Sequence, residues 1–229
     1  MTLEHDHDAH PNEAHGHDED LDAQEHVDGS HQHGEHGHDH EGHDHAGHAH
    51  VEYPEAVANF RAEKDEFFQS APDSPIPAAQ REAFTGLPYF AVDEELRFEG
   101  LTLEPYAGTE PTRFQIPTSD GKLRDAERAG VFRFELGGAT QSLTGYTFAS
   151  GDSESVFVPF LDLTSGRESY GAGRYLDVFP EPDGTYALDF NLAYHPSCVY
   201  DARFSCPLTP AENRLPVRIE AGERLPATD

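Results

Sequence analysis

Lysine is nearly missing: Lys64 and Lys122 are the only two in 229 residues, and arginine supplies the other 13 of 15 cations. Against them stand 44 acids, for a formal charge of −29 at pH 7. A surface so poor in cations lacks the electrostatic footprint that a nucleic-acid partner requires. Long apolar runs are also missing. Stretches such as residues 156–161 fall far short of the roughly 20 residues a membrane helix needs. The opening MTLEHDHDAH has neither a basic region nor an apolar run, so it reads as neither signal peptide nor anchor. A cytoplasmic protein without a membrane partner is the expectation, and its two cysteines, Cys198 and Cys206, would ordinarily be thiols there.

The balance of charge points to the kind of cell. Self-repulsion at −29 strains a compact fold at ordinary ionic strength, whereas at molar salt the screening length falls to about 3 Å. A saline cytosol, and hence a halophilic archaeon, fits best; the plainer alternative is an ordinary acidic protein with an unusual tail.

That tail divides the chain. Residues 1–50 hold 15 of the 16 histidines, 14 of the 44 acids and no Lys or Arg, which leaves −29 + 14 = −15 for residues 51–229. Those 179 residues carry nearly all the aromatics and suffice for one domain of modest size. From His31 to His50 the sequence HQHGEHGHDHEGHDHAGHAH repeats Gly-His-Asp/Ala-His-X from Gly37, Gly42 and Gly47. A period of five matches neither helix nor strand, and almost no apolar side chain offsets the entropy of ordering the backbone, so disorder is expected. His-X-His spacing lets two imidazoles reach one ion, which makes His31, His33, His36, His38, His40, His43, His45, His48 and His50 candidate ligands for Zn, Ni or Cu. So many interchangeable sites imply capacity rather than selectivity. Two other readings remain: a soluble low-complexity tail grown by repeat slippage, and a pH-sensitive polyampholyte whose histidines charge near pH 6.5.

Beyond the tail, Pro54 suits a first helical turn, and Val57, Phe60, Lys64, Phe67 and Phe68 follow at helical spacing until Ser70-Ala71-Pro72 stops the pattern. A second short helix is expected over 77–84. From Tyr89 onward, Gly, Pro and Asp punctuate short aromatic and β-branched runs. Strands are expected at 96–103, 113–117, 130–136, 141–148, 156–161, 169–179, 185–194 and 217–221. Eight strands with one or two short N-terminal helices predict a mainly β domain over 51–229, an antiparallel β-sandwich or barrel. The clearest unit is a hairpin around Glu181-Pro182-Asp183-Gly184. If Glu181 pairs with Gly184, Arg174 faces Asn191 and lies diagonal to Asp189 on the polar face. A one-residue slip would send Arg174 to the other face.

At this point an ordered set of motifs stands out: residues 84–90 (FTGLPYF), 157–160 (FVPF) with Asp162 and Thr164, and 170–177 (YGAGRYLD). Asp189-Phe190-Asn191, Ala193-Tyr194, Cys198, Cys206-Pro207, Glu212-Asn213 and Ala221-Gly222-Glu223 continue it. Over about residues 52–224 the chain resembles the bacterial and archaeal family catalogued as domain of unknown function 1684. The resemblance implies a domain boundary and no reaction. His195 stands where the pattern has Asn, and the His-rich tail is not part of it.

Arg174, Asp189, Asn191, Tyr194, Glu212 and Asn213 would line a pocket for a small polar or anionic ligand, with Arg174 on the anion and Asp189 orienting it. The same residues would equally serve as a buried brace. An enzyme would use the Arg174, Asp189 and Glu212 cluster, yet no Gly-X-Ser-X-Gly elbow or phosphate loop accompanies it, and Gly171-Ala172-Gly173 lies between strands rather than before a helix. His195, Cys198 and Cys206, with Glu212 as a fourth ligand, leave a zinc site, a disulfide or redox pair, and packed thiols all open. The fullest expectation is a cytosolic protein that binds divalent transition metal through its tail, joined to a β-domain with a polar or anionic small-ligand pocket.

Overall fold

The computed structural model describes residues 51–149 and 154–226. The expected disorder of residues 1–50 and all nine candidate histidine ligands lie outside the described residues.

Helix α1 runs Tyr53–Ser70 with Pro54 in its first turn, where the missing N–H costs nothing. It ends because Pro72 forces Ala71 into extended backbone. Val57 and Phe68 are buried, while Phe60 and Phe67 stay 41 % and 42 % exposed. The second expected helix is a short 3-10 helix, Ala78–Ala83. Among the described residues no helix is long and apolar enough to cross a membrane.

Seven strands follow: β1 Arg97–Leu101, β2 Arg113–Pro117, β3 Leu123–Leu136, β4 Ala139–Thr147, β5 Val156–Phe160, β6 Arg174–Val178 and β7 Tyr186–Asp189. β2 to β6 form one antiparallel sheet in sequence order, and β1 pairs with β7 in a second, two-stranded sheet. The domain is mainly β with few helices. The large sheet ends at β2 and β6, so the barrel expectation is corrected. In β3, Ala126, Arg128, Phe132 and Phe134 alternate inward with the period of two that a half-buried strand dictates. All of β5 is buried, because Val158 and Phe160 join the main core while Phe157 packs with Tyr146 and Tyr175 on the opposite face. The small sheet covers the main-core face: Phe98 and Leu188 meet Phe134 and Phe190 there.

The strand expected at 130–136 begins at Leu123 and that at 169–179 shortens to Arg174–Val178, and three further differences from expectation have physical reasons. Residues 217–221 form no ladder; they lie beside 162–163, with Leu163 N–H donating to Val217 O at 2.9 Å and Ile219 N–H to Asp162 Oδ2 at 2.8 Å. β7 stops at Asp189 because its carboxylate accepts the Asn191 N–H and turns the chain into a 3-10 helix, Phe190–Leu192. The turn at Glu181 does form, but Pro180 faces Tyr186 and Tyr175 faces Tyr194, so the 181–184 register does not propagate. β7 takes β1 as its partner instead of β6.

Candidate functional site

The altered register decides where the expected site residues go. Arg174 opens β6 fully buried and points into the core. Its guanidinium donates to the carbonyls of Ala221, Ile219 (2.7 Å) and Glu223 (3.2 Å), and to Asp162 Oδ1 at 3.4 Å. Arg174 therefore clamps the C-terminal segment 219–223 to the turn at 162–164, and its ion-pair partner is Asp162, not Asp189. Asp189 instead accepts from the Tyr53 hydroxyl at 2.7 and 2.8 Å, which ties α1 to the small sheet.

The remaining residues are equally occupied. The Asn191 amide exchanges hydrogen bonds with the Asp93 backbone, and Tyr194 donates to Asp177 Oδ2 at 2.6 Å. Glu212 Oε1 accepts from Arg128 at 2.7 Å and from Tyr146 at 3.0 Å, and, against burial, hydrogen bonds from its own backbone, Arg128 and Tyr146 together hold its carboxyl below the usual range. Asn213 bridges Thr144 and Pro159. Of the six residues expected in one pocket, Asp189 and Asn191 meet each other, while Arg174, Asp189 and Glu212 each take different charged or hydroxyl partners, so their proposed cluster does not assemble.

The possible zinc set also divides. Glu212 is held by Arg128, while His195 Nε2 accepts the Tyr170 N–H at 3.2 Å. Among the described residues no group of three or more His, Cys, Asp and Glu is arranged to hold a metal. Cys198 and Cys206 are both free thiols and adjoin: the Cys198 N–H donates to Cys206 Sγ at 3.3 Å.

The convergence that spacing could not reveal is centred on Glu223. Gly222, at φ +74°, directs the next residue inward, and Glu223 is 1 % exposed. Its carboxylate meets Lys64 Nζ of α1 at 2.6 Å, accepts the His195 backbone N–H at 2.7 Å and accepts the Tyr200 hydroxyl at 2.8 Å. Burial lowers the His195 pKa to about 4, with Glu223 opposing the shift and Arg174 and Lys64 adding to it, so the ring is neutral at pH 7.

His195 and Tyr200 also form part of the wall of a recess of about 640 Å³, whose apolar side comes from residues such as Ile76, Phe84 and Leu87. Arg224, half-buried, also lines it, its Nε donating to the Leu225 carbonyl at 3.4 Å and its guanidinium 5.4 Å from the centroid of the Phe90 ring. Among the described residues no acid lines this recess and no carboxylate pairs with Arg224. Four other recesses are each lined by at least one acid: Asp125, Asp177, Asp183 and Asp189 respectively. Of these five recesses, that of Arg224 alone has a cation and no acid among its described lining residues.

Fold and site together define an antiparallel β-domain with buried ionic braces and, among the described residues, a mostly apolar recess that carries Arg224, His195, Tyr200 and Gln80. The chain belongs to the family described as Protein of unknown function (DUF1684), whose model matches residues 82–224. It is similar to the solution NMR structure of an uncharacterised protein from Haloarcula marismortui, a halophilic archaeon, with 38 % identity and a TM-score of 0.57 over 74 % of this chain and 92 % of that one. No curated protein matches. The matched span includes Phe84, Leu87, His195, Tyr200 and Arg224 of the recess and leaves out α1.

Proposed function

We propose that the folded domain is a binding module for a small amphipathic anion, a carboxylate with an apolar body, held in the Arg224 recess. The observation that carries this reading is the pairing of an acid-free, mostly apolar wall with an arginine that has no carboxylate partner among the described residues. The volume, about 640 Å³, lies within the roughly 300–1,000 Å³ typical of small-molecule sites. The wall stabilises an apolar ligand by about 25 cal/mol per Å² removed from water, and a guanidinium fork matches a carboxylate with two parallel hydrogen bonds. Binding is favoured over turnover because both titratable wall residues are already engaged, His195 as an acceptor from Tyr170 and Tyr200 as a donor to Glu223. Calorimetry on the full chain with octanoate, octan-1-ol and octylammonium tests it. Octanoate binds tightest, and Arg224→Gln weakens octanoate about 10- to 100-fold, as expected for charge-assisted hydrogen bonds of about 1.5–3 kcal/mol, while leaving octan-1-ol unchanged. Equal affinity for the three probes, or preference for octylammonium, sinks the proposal.

The composition of the tail favours a second role beside the first: capture of Zn, Ni or Cu by the nine histidines from His31 to His50. Comparing the full chain with one that starts at Val51 isolates the tail. Several ions per full chain at pH 7.5, lost at pH 5.5 as imidazoles protonate, support it. Fewer than two ions, or uptake unaffected by pH, counts against it.

A further inference from the structure

We propose that Cys198 and Cys206 are a redox-responsive dithiol that closes to an intramolecular disulfide by exchange with a low-molecular-weight disulfide. The positions of the two residues carry the inference. Cys206 Sγ already lies 3.3 Å from the backbone nitrogen of Cys198, with seven residues between them in sequence and no bond joining the sulfurs. The two thiols also differ in access: Cys198 is half-buried and Cys206 is 8 % exposed. Cys206 is anchored on both sides, its N–H donating to Ser119 Oγ at 3.1 Å and its carbonyl accepting the Ser119 N–H at 2.8 Å.

This asymmetry sets the order of events. The Cys198 thiolate, on the accessible side, attacks one sulfur of the small disulfide, forms a mixed disulfide and releases the first small thiolate. Cys206 then gives its proton to that thiolate and attacks the Cys198 sulfur, and the second small thiolate leaves. Two protein thiols become one disulfide as one small disulfide is reduced to two thiols, so electrons and protons balance. Burial pushes the Cys206 thiol up to about 11, so it is protonated at rest and must give up its proton before it attacks; the nearness of Cys198 is what offsets this in the intramolecular step.

The bond would close residues 199–205 into an arch. Val199 and Tyr200 in this arch line the recess, and the Tyr200 hydroxyl holds Glu223. Oxidation therefore ties one recess wall to the β2–β3 turn through Cys206 and Ser119, whichever ligand the recess takes. Incubating the full chain with excess oxidised glutathione, alkylating with iodoacetamide and weighing the products tests the assignment. Monomeric wild-type chain loses both alkylatable thiols without gaining glutathione. Cys206→Ser accumulates one stable glutathione on Cys198, because the resolving thiol is gone. Cys198→Ser keeps Cys206 alkylatable after denaturation and free of glutathione. The proposal is overturned if wild-type thiols both survive, if glutathione persists on the wild-type chain, or if the bond forms between chains.

Discussion

His195 is the residue whose environment most clearly controls a measurable property. Its pKa lies at about 4 in the folded chain, against about 6.5 for the exposed ring. The folded state therefore binds fewer protons than the unfolded one across this interval, and stability rises with pH there. The contribution is complete above pH 6.5 and is lost as the pH falls toward 4, amounting to about 3 kcal/mol. Comparing urea midpoints of wild type and His195→Gln at pH 7 and pH 4.5 checks the sign, because Gln keeps an acceptor for the Tyr170 N–H without a titrating ring. The wild type loses more stability on acidification than the variant. Equal losses would mean that His195 is as easily protonated folded as unfolded. The same neighbourhood explains why Glu223 escaped a reading by motif: it is one of 44 acids, and only its enclosure by Lys64, His195 and Tyr200 distinguishes it.

Among the elements, the β3–β4 hairpin is set by two glycines. Leu136 faces Ala139, and Gly137 and Gly138 between them take φ +66° and +75°, the left-handed pair required by a two-residue turn that matches the twist of its strands. A Cβ on Gly138 would meet nothing within 4 Å, so substitution there reads backbone conformation alone. Gly138→Val is expected to cost about 1–2 kcal/mol in denaturant melts, and Gly138→Asn distinctly less, since Asn tolerates this region. Equal costs would show that packing, not φ, governs the turn. The second hairpin teaches a different lesson. Its turn at 181–184 was legible from Pro-Asp-Gly, but the strands leaving it are claimed by other partners: β7 by β1, and β6 by β5. A local turn sets register only as far as the flanking residues prefer each other.

For the whole molecule the dominant quantity is charge. At −29 the full chain repels itself, and raising salt from 0.1 M to 1 M shortens the screening length from about 10 Å to about 3 Å. Thermal unfolding of the full chain should shift upward with salt, and the chain starting at Val51, at −15, should shift less. A fall in unfolding temperature with salt, or an equal rise in both chains, would remove self-repulsion from the account. Truncation also checks the boundary: a cooperative melt that persists without residues 1–50 is expected.

By itself the sequence determined the features that depend on neighbours along the chain. The composition break near His50, the proline-started helix α1, the ends of β2, the presence of β5 and the mainly β class all follow from periodicity, breakers and side-chain type. Tertiary structure alone decided what depends on distant residues. Arg174 reached the core because the large sheet and the C-terminal segment set its face, and Asp162 became its partner 12 positions upstream. Glu223 met Lys64 only when the C-terminal segment returned against α1. Inward-facing registers are chosen by the burial they achieve over the whole sheet, and a shift of one residue exchanges every side chain between core and solvent. No local pattern around Arg174, Glu223 or Arg224 carries that information.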